Sequence, residues 1–246
     1  MKKITILLIL IFSCLPEASY TQDSPLVAVA ANFTEPFKEI AVLFESKTHI
    51  HFEPTFSSTG KLYAQIIEGA PYDLFLAADE TRPGELFQKG LSVKPFVYAK
   101  GEVVLWTAQK DLCSLRNWKS AVTNNNVKRI SIANTESAPY GTSSMVALKS
   151  SGMWESLQNK FVFSQDIAQS FQYAFTGSVD VAFCAKSSAL TDKGKSGCYL
   201  EVKEAPVVVQ SGCVLNRTRQ RQVAEEFAVF LFSPEANSVK QKYGYH

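Results

Sequence analysis

Four short segments combine small hydrogen-bonding side chains with the predicted start of a helix. They are 30–34, which contains Asn32; 56–61, which contains Ser58 and Thr59; 138–144, which contains Tyr140; and 164–167, which ends on Ile167. The first backbone N–H groups of a helix have no acceptor within the helix, and hydroxyl or amide side chains add further donors. Each segment alone is also consistent with ordinary helix capping. If the four converge, they can hold an anion without a balancing Lys or Arg.

Sequence patterns of catalysis are weak by comparison. No G-x-S-x-G segment occurs, and none of the three histidines stands near a plausible nucleophile in the sequence. The run 194–196 (GKS) resembles the end of a phosphate-binding loop, but Ala189 stands where the first glycine is required. The adjacent carboxylates of Asp79 and Glu80 are typical of a solvated turn. We therefore predict no enzyme activity, and a secreted α/β hydrolase stays an alternative with little support.

The elements that must position the four segments alternate between strands and helices. Predicted strands lie at 26–31, 50–56 and 73–78, and each leads into a helical pattern, the last two at 61–68 and 82–89. This alternation predicts a mainly parallel sheet with helices on both faces. Ligands of such sheets lie beyond the carboxyl ends of the strands, which is where all four segments fall.

A second unit of the same kind follows residue 100. Its predicted strands are 103–107, 129–133, 178–184, 198–202 and 207–214, and its predicted helices are 142–150, 167–175 and a last long helix that ends near 233–234. Apolar and polar residues alternate over 178–184, which predicts a half-exposed strand. The predicted fold class is therefore α/β. No Pro- or Gly-rich linker separates the two units, so strands rather than a flexible tether should join them.

Composition is that of a folded soluble protein. Of 246 residues, 46% are hydrophobic, and 25 Lys and Arg nearly balance 23 Asp and Glu. This length allows one large domain or two lobes. The formal net charge of +2 provides no basic stripe that would neutralise several phosphates, so no nucleic-acid partner is expected.

Cysteine and histidine residues do not form a pattern that indicates a metal cation. C-x-x-C pairs are absent, and no acidic or sulfur-bearing residue lies beside His49 and His51. Four cysteines of an exported chain are more typical of disulfides. The sequence leaves open three complete pairings of Cys113, Cys184, Cys198 and Cys213.

The first 23 residues have the pattern of a secretory signal peptide. Lys2 and Lys3 precede an unbroken apolar run at 4–12, which is too short to span a bilayer. The segment 11–14 loosely resembles a lipoprotein cleavage box, which leaves a lipid anchor on Cys14 as an alternative. In either case we predict that the protein is exported.

The polar segments and their surroundings resemble the periplasmic molybdate-binding proteins that serve ATP-driven molybdate importers. The matching runs are 27–33 (VAVAANF), 56–66 (FSSTGKLYAQI), 69–80 (GAPYDLFLAADE), 98–106, 130–134 (ISIAN), 138–141 (APYG) and 165–167 (QDI). The similarity covers nearly the whole mature chain in the same order. It implies a two-lobed periplasmic binding protein of type II, which closes on its ligand like a hinged trap. The implied lobes are 24–100 with 207–246, and 101–206, with crossover strands near 96–105 and 202–209.

The resemblance also implies which groups hold the ligand. Carried over by motif, they are Asn32, Ser58 or Thr59, the backbone N–H of Tyr140 and the backbone N–H of Ile167. The implied ligand is molybdate or tungstate, so molybdenum enters as an oxyanion and not as a coordinated cation, and no cofactor is expected. The implied partner of this monomeric periplasmic receptor is the membrane permease of an ABC importer with its ATPase. The alternative ligand is another small oxyanion or an organic acid, which usually requires an Arg in the cleft.

Three positions depart from the family pattern. Many relatives have Ser at the positions of Asn32 and Thr59, and both replacements can still donate a hydrogen bond to an oxyanion. Some relatives use a Tyr hydroxyl on the strand corresponding to 178–186, where this chain has Ala185. We therefore expect that one family contact is missing or is supplied from elsewhere.

Overall fold

A computed structural model describes residues 24–115 and 117–246 of the chain. The predicted signal peptide at 1–23 and the alternative of a lipid anchor on Cys14 lie outside these residues. The described residues form two five-stranded sheets, each flanked by helices. We call the sheet that contains the first strand, with its helices, the first lobe, and the other sheet, with its helices, the second lobe.

The strands are short and are numbered along the chain. They are β1 (Leu26–Ala30), β2 (Glu53–Ser57), β3 (Leu74–Leu76), β4 (Phe96–Gly101), β5 (Val103–Thr107), β6 (Ile130–Ala133), β7 (Phe161–Ser164), β8 (Val181–Ala185), β9 (Cys198–Glu201) and β10 (Val208–Val214). The first lobe has the strand order β2-β1-β3-β10-β4, and the second has the order β7-β6-β8-β5-β9.

The helices connect these strands and cover both sheets. They are α1 (Thr34–Thr48), α2 (Thr59–Ile67), α3 (Thr81–Gln88), α4 (Lys110–Cys113), α5 (Trp118–Thr123), α6 (Pro139–Ser150), α7 (Trp154–Leu157), α8 (Ile167–Phe175), α9 (Lys186–Ala189), α10 (Arg221–Phe230) and α11 (Pro234–Lys242). Short 3-10 helices lie at Ala31–Phe33, Gln158–Lys160 and Gly194–Ser196. Of these elements, β5 and α8 have the bounds that the sequence predicts.

The strand directions confirm the predicted mainly parallel sheets. In the first lobe β1 pairs in parallel with β2 and β3, and β10 is antiparallel to both β3 and β4. In the second lobe β6 pairs in parallel with β7 and β8, and β5 is antiparallel to both β8 and β9. Four strands of each sheet therefore run in one direction and one runs against them. The reversed strand of each sheet is a strand that comes from, or leads to, the other lobe.

Aromatic side chains fill the core of the first lobe. Phe37 and Phe44 lie on one face of α1, as the spacing of three to four residues predicts, and both are buried. Their rings contact Phe227 of α10 with centroid distances of 5.6 and 5.3 Å. Edge-on aromatic contacts at this separation are favourable. They fix α1 against the sheet, and with it the residues at the amino end of that helix.

The chain passes between the two sheets twice. β4 belongs to the first lobe and β5 to the second, with only Glu102 between them. The return passes from β9 to β10 through 202–207. Both connections are short, and neither contains a helix. The two sheets are therefore joined by two short segments rather than by a long linker.

The predicted half-exposed strand at 178–184 is wrong. The strand is β8, which begins at Val181 and is buried at every position. It lies between β6 and β5, so neither edge is free. One face, with Phe183, belongs to one hydrophobic cluster, and the other, with Cys184, belongs to a second cluster. The alternation arose from small residues on a second buried face, not from exposure to water.

The predicted last helix is α10, and a further helix that the sequence pattern does not predict follows it. α10 buries Val223 and Phe227, as predicted, but the chain then continues into α11. Pro234 occupies the first turn of α11, where a proline costs no hydrogen bond, and the Ser233 hydroxyl accepts a hydrogen bond from the Ala236 N–H. Ser-Pro therefore starts a helix here, whereas the sequence pattern predicts only the end of one.

Cysteines of the described residues form one disulfide. Cys113, the last residue of α4, is bonded to Cys198 of β9, which closes a loop across 85 positions of the chain. Cys184 and Cys213 are free and fully buried. Burial raises the pKa of both thiols, that of Cys213 to about 12.

Two classes of feature are not found in the described part of the chain. None of its helices is long and apolar enough to cross a membrane. Its His, Cys, Asp and Glu side chains likewise form no cluster of three or more that could hold a metal ion.

The cysteine arrangement predicts the outcome of thiol labelling of the chain from residue 24 onward. Native protein should react with a thiol reagent at fewer than one site, because both free thiols are buried and protonated. Guanidinium alone should expose two thiols, and guanidinium with a reductant should expose four. Rapid labelling of the native protein would contradict the burial of the free thiols, and four reactive thiols in guanidinium without reductant would contradict the disulfide.

Candidate functional site

The four polar segments converge on one small cavity between the lobes. It lies at the carboxyl ends of β1, β2 and β6, where ligands of such sheets are expected. The residues that line it are Ala30, Ala31, Asn32, Ser58, Thr59, Ala78, Ala138, Pro139, Tyr140, Asp166 and Ile167. Asn32, Ser58 and Thr59 come from the first lobe, and Tyr140 and Ile167 come from the second. The structure therefore brings together all five residues that the sequence singles out.

The second segment presents two hydroxyl groups. Ser58 is the residue before α2, but its side chain makes no capping bond, and its buried Oγ has no hydrogen-bond partner among the described residues. The Thr59 Oγ1 accepts a hydrogen bond of 2.9 Å from the Ala78 N–H, so its own hydrogen is free to be donated elsewhere. Ordinary capping, the simple explanation of a Ser in this position, therefore does not account for Ser58.

The third and fourth segments present backbone N–H groups. Tyr140 and Ile167 lie in the first turns of α6 and α8, where N–H groups have no intrahelical acceptor. The close approach of α6 to the end of β6 requires Gly141, because a Cβ there would lie 2.3 Å from the Ala133 carbonyl oxygen. The glycine of the APYG run thus allows the N–H of Tyr140 to reach the cavity.

Asn32 is placed as expected, but its side chain does not cap a helix. It lies inside the 3-10 helix Ala31–Phe33, which has no side-chain capping bond. Its amide nitrogen donates to Gln210 Oε1 at 2.7 Å and to the Tyr245 hydroxyl at 3.0 Å. Both amide hydrogens are therefore used away from the cavity. The group that Asn32 can offer an anion is its backbone N–H, at the start of a helix.

Gln210 connects residues of both lobes behind the cavity. It is fully buried at an irregularity in β10, where the pairing with β4 shifts by one residue. Its Oε1 accepts from Asn32 and, at 3.1 Å, from the Tyr98 hydroxyl, and its Nε2 donates to the Tyr140 hydroxyl at 3.3 Å. One side chain on a crossover strand thus contacts the first and the third anion-facing segments together.

Tyr245 and Ser187 complete this buried polar cluster from two sides. Each hydroxyl donates to the Asn32 carbonyl oxygen at 2.8 Å, and the two hydroxyls are 3.1 Å apart. Ser187 belongs to α9 of the second lobe, whereas Tyr245 is fixed to the first lobe by backbone bonds of its neighbour His246 to Lys100 of β4. Burial raises the pKa of the Tyr98, Tyr140 and Tyr245 phenols, so all three keep their protons.

The cavity has no cationic side chain among its lining residues. Asp166 is the only charged residue that lines it, and its carboxylate accepts a hydrogen bond of 2.9 Å from the Gln169 N–H at the start of α8. The positive potential comes instead from the amino ends of the helices that begin at the four segments. An anion is therefore favoured, and it would be held by neutral donors only.

Contacts across the cleft surround the cavity. The Gly60 N–H donates to the Ser137 carbonyl at 2.8 Å, and the Lys61 ammonium donates to Gln165 Oε1 at 2.7 Å. A third contact runs from the guanidinium of Arg82 to the Glu136 carbonyl at 2.8 Å. Each joins the first lobe to a residue next to an anion-facing segment of the second. The two lobes are thus in the closed arrangement.

The candidate acid–base pair Asp79 and Glu80 lies in a groove next to the cavity. The groove also contains Arg82, with which the Asp79 carboxylate forms an ion pair. The second Asp79 oxygen accepts a hydrogen bond of 2.9 Å from the Arg82 N–H. Asp79 therefore has a structural role at the start of α3, but its side chain is only 18% exposed, so the predicted solvated turn does not describe it.

The sequence did not reveal the cluster behind the cavity. Tyr98, Ser187, Gln210 and Tyr245 come from four separate parts of the chain and carry no spacing that links them. The only sequence signal is Gln210, a polar residue in the apolar run 207–214. Ala185 is fully buried at the end of β8, and its methyl group has no donor to offer.

Comparisons with known proteins agree with this architecture. The sequence model of the family described as bacterial extracellular solute-binding protein matches residues 25–246. The chain is 35% identical over 222 residues to the molybdate-binding protein ModA of Rhodobacter capsulatus, with coverage of 89% of this chain and 87% of that protein. It is 35% identical over 240 residues to ModA of Azotobacter vinelandii, with coverage of 96% and 93%.

A solved structure shows the same fold. The periplasmic molybdate-binding protein of Azotobacter vinelandii superposes with a TM-score of 0.86 at 28% identity, over 91% of this chain and 99% of that one. The predicted two-lobed periplasmic binding fold of type II is thereby confirmed, as is the resemblance from which it was inferred. The chain belongs to the family of bacterial extracellular solute-binding proteins.

Proposed function

We propose that this protein is an extracytoplasmic receptor that binds molybdate between its lobes and delivers it to an ABC importer. The observation that carries the proposal is the convergence of four helix starts on one cavity, with the Ser58 hydroxyl unpaired. The relatives reported above are named molybdate-binding proteins, which supports the same ligand. We infer no enzyme activity, because the cavity presents donors but no nucleophile–base pair among its lining residues.

The proposed contacts combine hydroxyl and backbone donors. They are the hydroxyls of Ser58 and Thr59 and the backbone N–H groups of Asn32, Tyr140 and Ile167. A dianion that leaves water loses strong hydration, and only a full set of inward-facing donors replaces it. Three of these groups belong to the first lobe and two belong to the second, so the ligand completes its coordination only when the lobes close.

Size and charge decide between possible ligands. Tungstate is close to molybdate in size and in charge, so we infer that tungstate binds as well. We also infer that binding requires no cofactor. Sulfate is smaller, and a rigid set of donors leaves some of them unsatisfied around it, at a cost of about 1–3 kcal/mol for each. An organic acid is the alternative on this fold, but no Arg lines the cavity in the described residues to pair with its carboxylate.

The proposed setting follows from the family. We infer that the receptor acts in the periplasm after export, as a monomer, and that it docks on a membrane permease driven by an ATPase. The lobes would be 24–100 with 207–246, and 101–206, hinged at the two crossings. The short connections favour a rotation of the lobes as rigid bodies, which brings the donors of one lobe toward those of the other.

Calorimetry tests the ligand directly. Molybdate and tungstate should each bind with one site per chain, and an equal concentration of sulfate should leave the molybdate titration unchanged. Citrate or another small organic acid should not compete. Displacement of molybdate by sulfate at equal concentration, or tight binding of an organic acid without molybdate binding, would refute the proposed ligand.

Ser58→Ala tests the unpaired hydroxyl. Affinity for molybdate should fall about 10-fold to 100-fold, because a hydrogen bond to a charged group contributes about 1.5–3 kcal/mol. Stability without ligand should not fall, since the variant removes a buried hydroxyl that has no partner. The matched control is Ser92→Ala, a serine of the same lobe with the same 3% exposure that does not line the cavity. Equal affinity of Ser58→Ala and wild type would exclude Ser58 as a ligand.

Gly60→Ala tests whether binding requires closure. A Cβ at Gly60 would lie 2.9 Å from the Ser137 Cα across the cleft, so the lobes cannot close fully, and affinity should fall about tenfold or more. Stability without ligand should stay the same or rise by up to about 1 kcal/mol, because Ala favours a helix. Gly84→Ala in α3 is the control, since a Cβ there meets nothing within 4 Å. If both variants bind as wild type does, closure does not depend on this contact.

A further inference from the structure

Tyr245 belongs to none of the four polar segments, yet it is buried behind the proposed anion site. Its side chain is 2% exposed, and its ring contacts Phe33 with a centroid distance of 5.3 Å. The hydroxyl is the only polar atom of the side chain, so the position of that atom decides what Tyr245 does. It is placed against Asn32, the first of the anion-facing residues.

The Tyr245 hydroxyl holds Asn32 at two points. It donates to the backbone carbonyl of Asn32 at 2.8 Å and accepts from the amide nitrogen of the same residue at 3.0 Å. A residue bound at both its backbone and its side chain has little freedom to rotate. The direction of its backbone N–H, the group that we assign to the anion, is thereby fixed.

The same hydroxyl also contacts a residue of the second lobe. It lies 3.1 Å from the hydroxyl of Ser187, which itself donates to the Asn32 carbonyl at 2.8 Å. Tyr245 moves with the first lobe, since Lys100 of β4 and His246 exchange backbone hydrogen bonds of 2.9 and 3.1 Å. Ser187 moves with the second lobe. In the closed arrangement the two lobes therefore meet at this pair of hydroxyls.

From this geometry we propose that Tyr245 is a positioning residue of the anion site, which locks the Asn32 backbone for binding when Ser187 arrives on closure. The inference rests on the proposed function. It adds that part of the binding free energy comes from a buried hydroxyl pair that the anion does not touch.

Tyr245→Phe removes the hydroxyl and keeps the ring. Molybdate affinity should fall about tenfold, the effect of one hydrogen bond worth about 1.4 kcal/mol. The loss should appear as faster dissociation in stopped-flow fluorescence with little change in association, because the closed complex is what is weakened. Tyr72→Phe is the control: Tyr72 is also buried, and its hydroxyl donates to Gln65 at 2.9 Å away from the cleft.

A double-mutant cycle separates positioning from simple stabilisation. Ser187→Ala should also weaken binding, and the double variant should lose less than the sum, because both hydroxyls act on the same carbonyl. If Tyr245→Phe does not fold, Ser187→Ala and its dissociation rate provide the same test from the second lobe. Unchanged dissociation in both variants, or an equal loss in Tyr72→Phe, would overturn the positioning role while wild-type binding keeps the proposed function. Absence of molybdate binding by the wild type would overturn both.

Discussion

Removing a doubly charged anion from water without a counter-ion is the constraint on which the rest of this structure depends. The loss of hydration has to be offset by hydrogen bonds, and neutral donors do so only if nearly all of them point inward at once. A single helix start supplies too few. Four helix starts aimed at one point supply enough, and this requirement explains why the chain places four strand-to-helix turns around a single cavity.

The sheet topology follows from this requirement. Strands that run in one direction end at the same edge, so the helices that follow them begin side by side. Two such sheets that face each other double the number of donors and also provide a way in for the ligand, because they can separate. One reversed strand in each sheet, β5 and β10, allows the chain to cross between lobes without a long connection.

Much of this could be predicted from the sequence, because the signals are local. The apolar run of β5 and the helix pattern of α8 have the predicted bounds, and Asn32, Ser58, Thr59, Tyr140 and Ile167 are adjacent to helix starts in any structure of this type. The hydrogen-bond partners of each side chain were less predictable. The amide of Asn32 was expected at a helix cap or an anion, but Gln210 and Tyr245, 178 and 213 positions away in the chain, occupy it.

Burial was hard to predict for a related reason. Val181 to Ala185 alternate in side-chain size, and only the neighbours β5 and β6 show that both faces are covered. A polar residue in an apolar run has the same ambiguity. In the sequence, Gln210 interrupts the apolar run that forms β10. In the structure, both polar atoms of its side chain form hydrogen bonds with residues of three other elements. Tertiary partners, not propensity, decide such positions.

Neutral donors also decide where selectivity lies. If an arginine paired with the anion, any oxyanion of the right charge would gain from it, and release would be slow. Hydroxyl and N–H donors of both lobes instead discriminate between anions by size, because the distance between the donors depends on how far the lobes close. That distance is fixed by direct contact at Gly60 and Ser137 and by the buried cluster of Asn32, Ser187, Gln210 and Tyr245. The proposed function therefore implies that the choice among oxyanions depends on residues that touch no anion, and that substitutions there change selectivity even when every proposed ligand contact is kept.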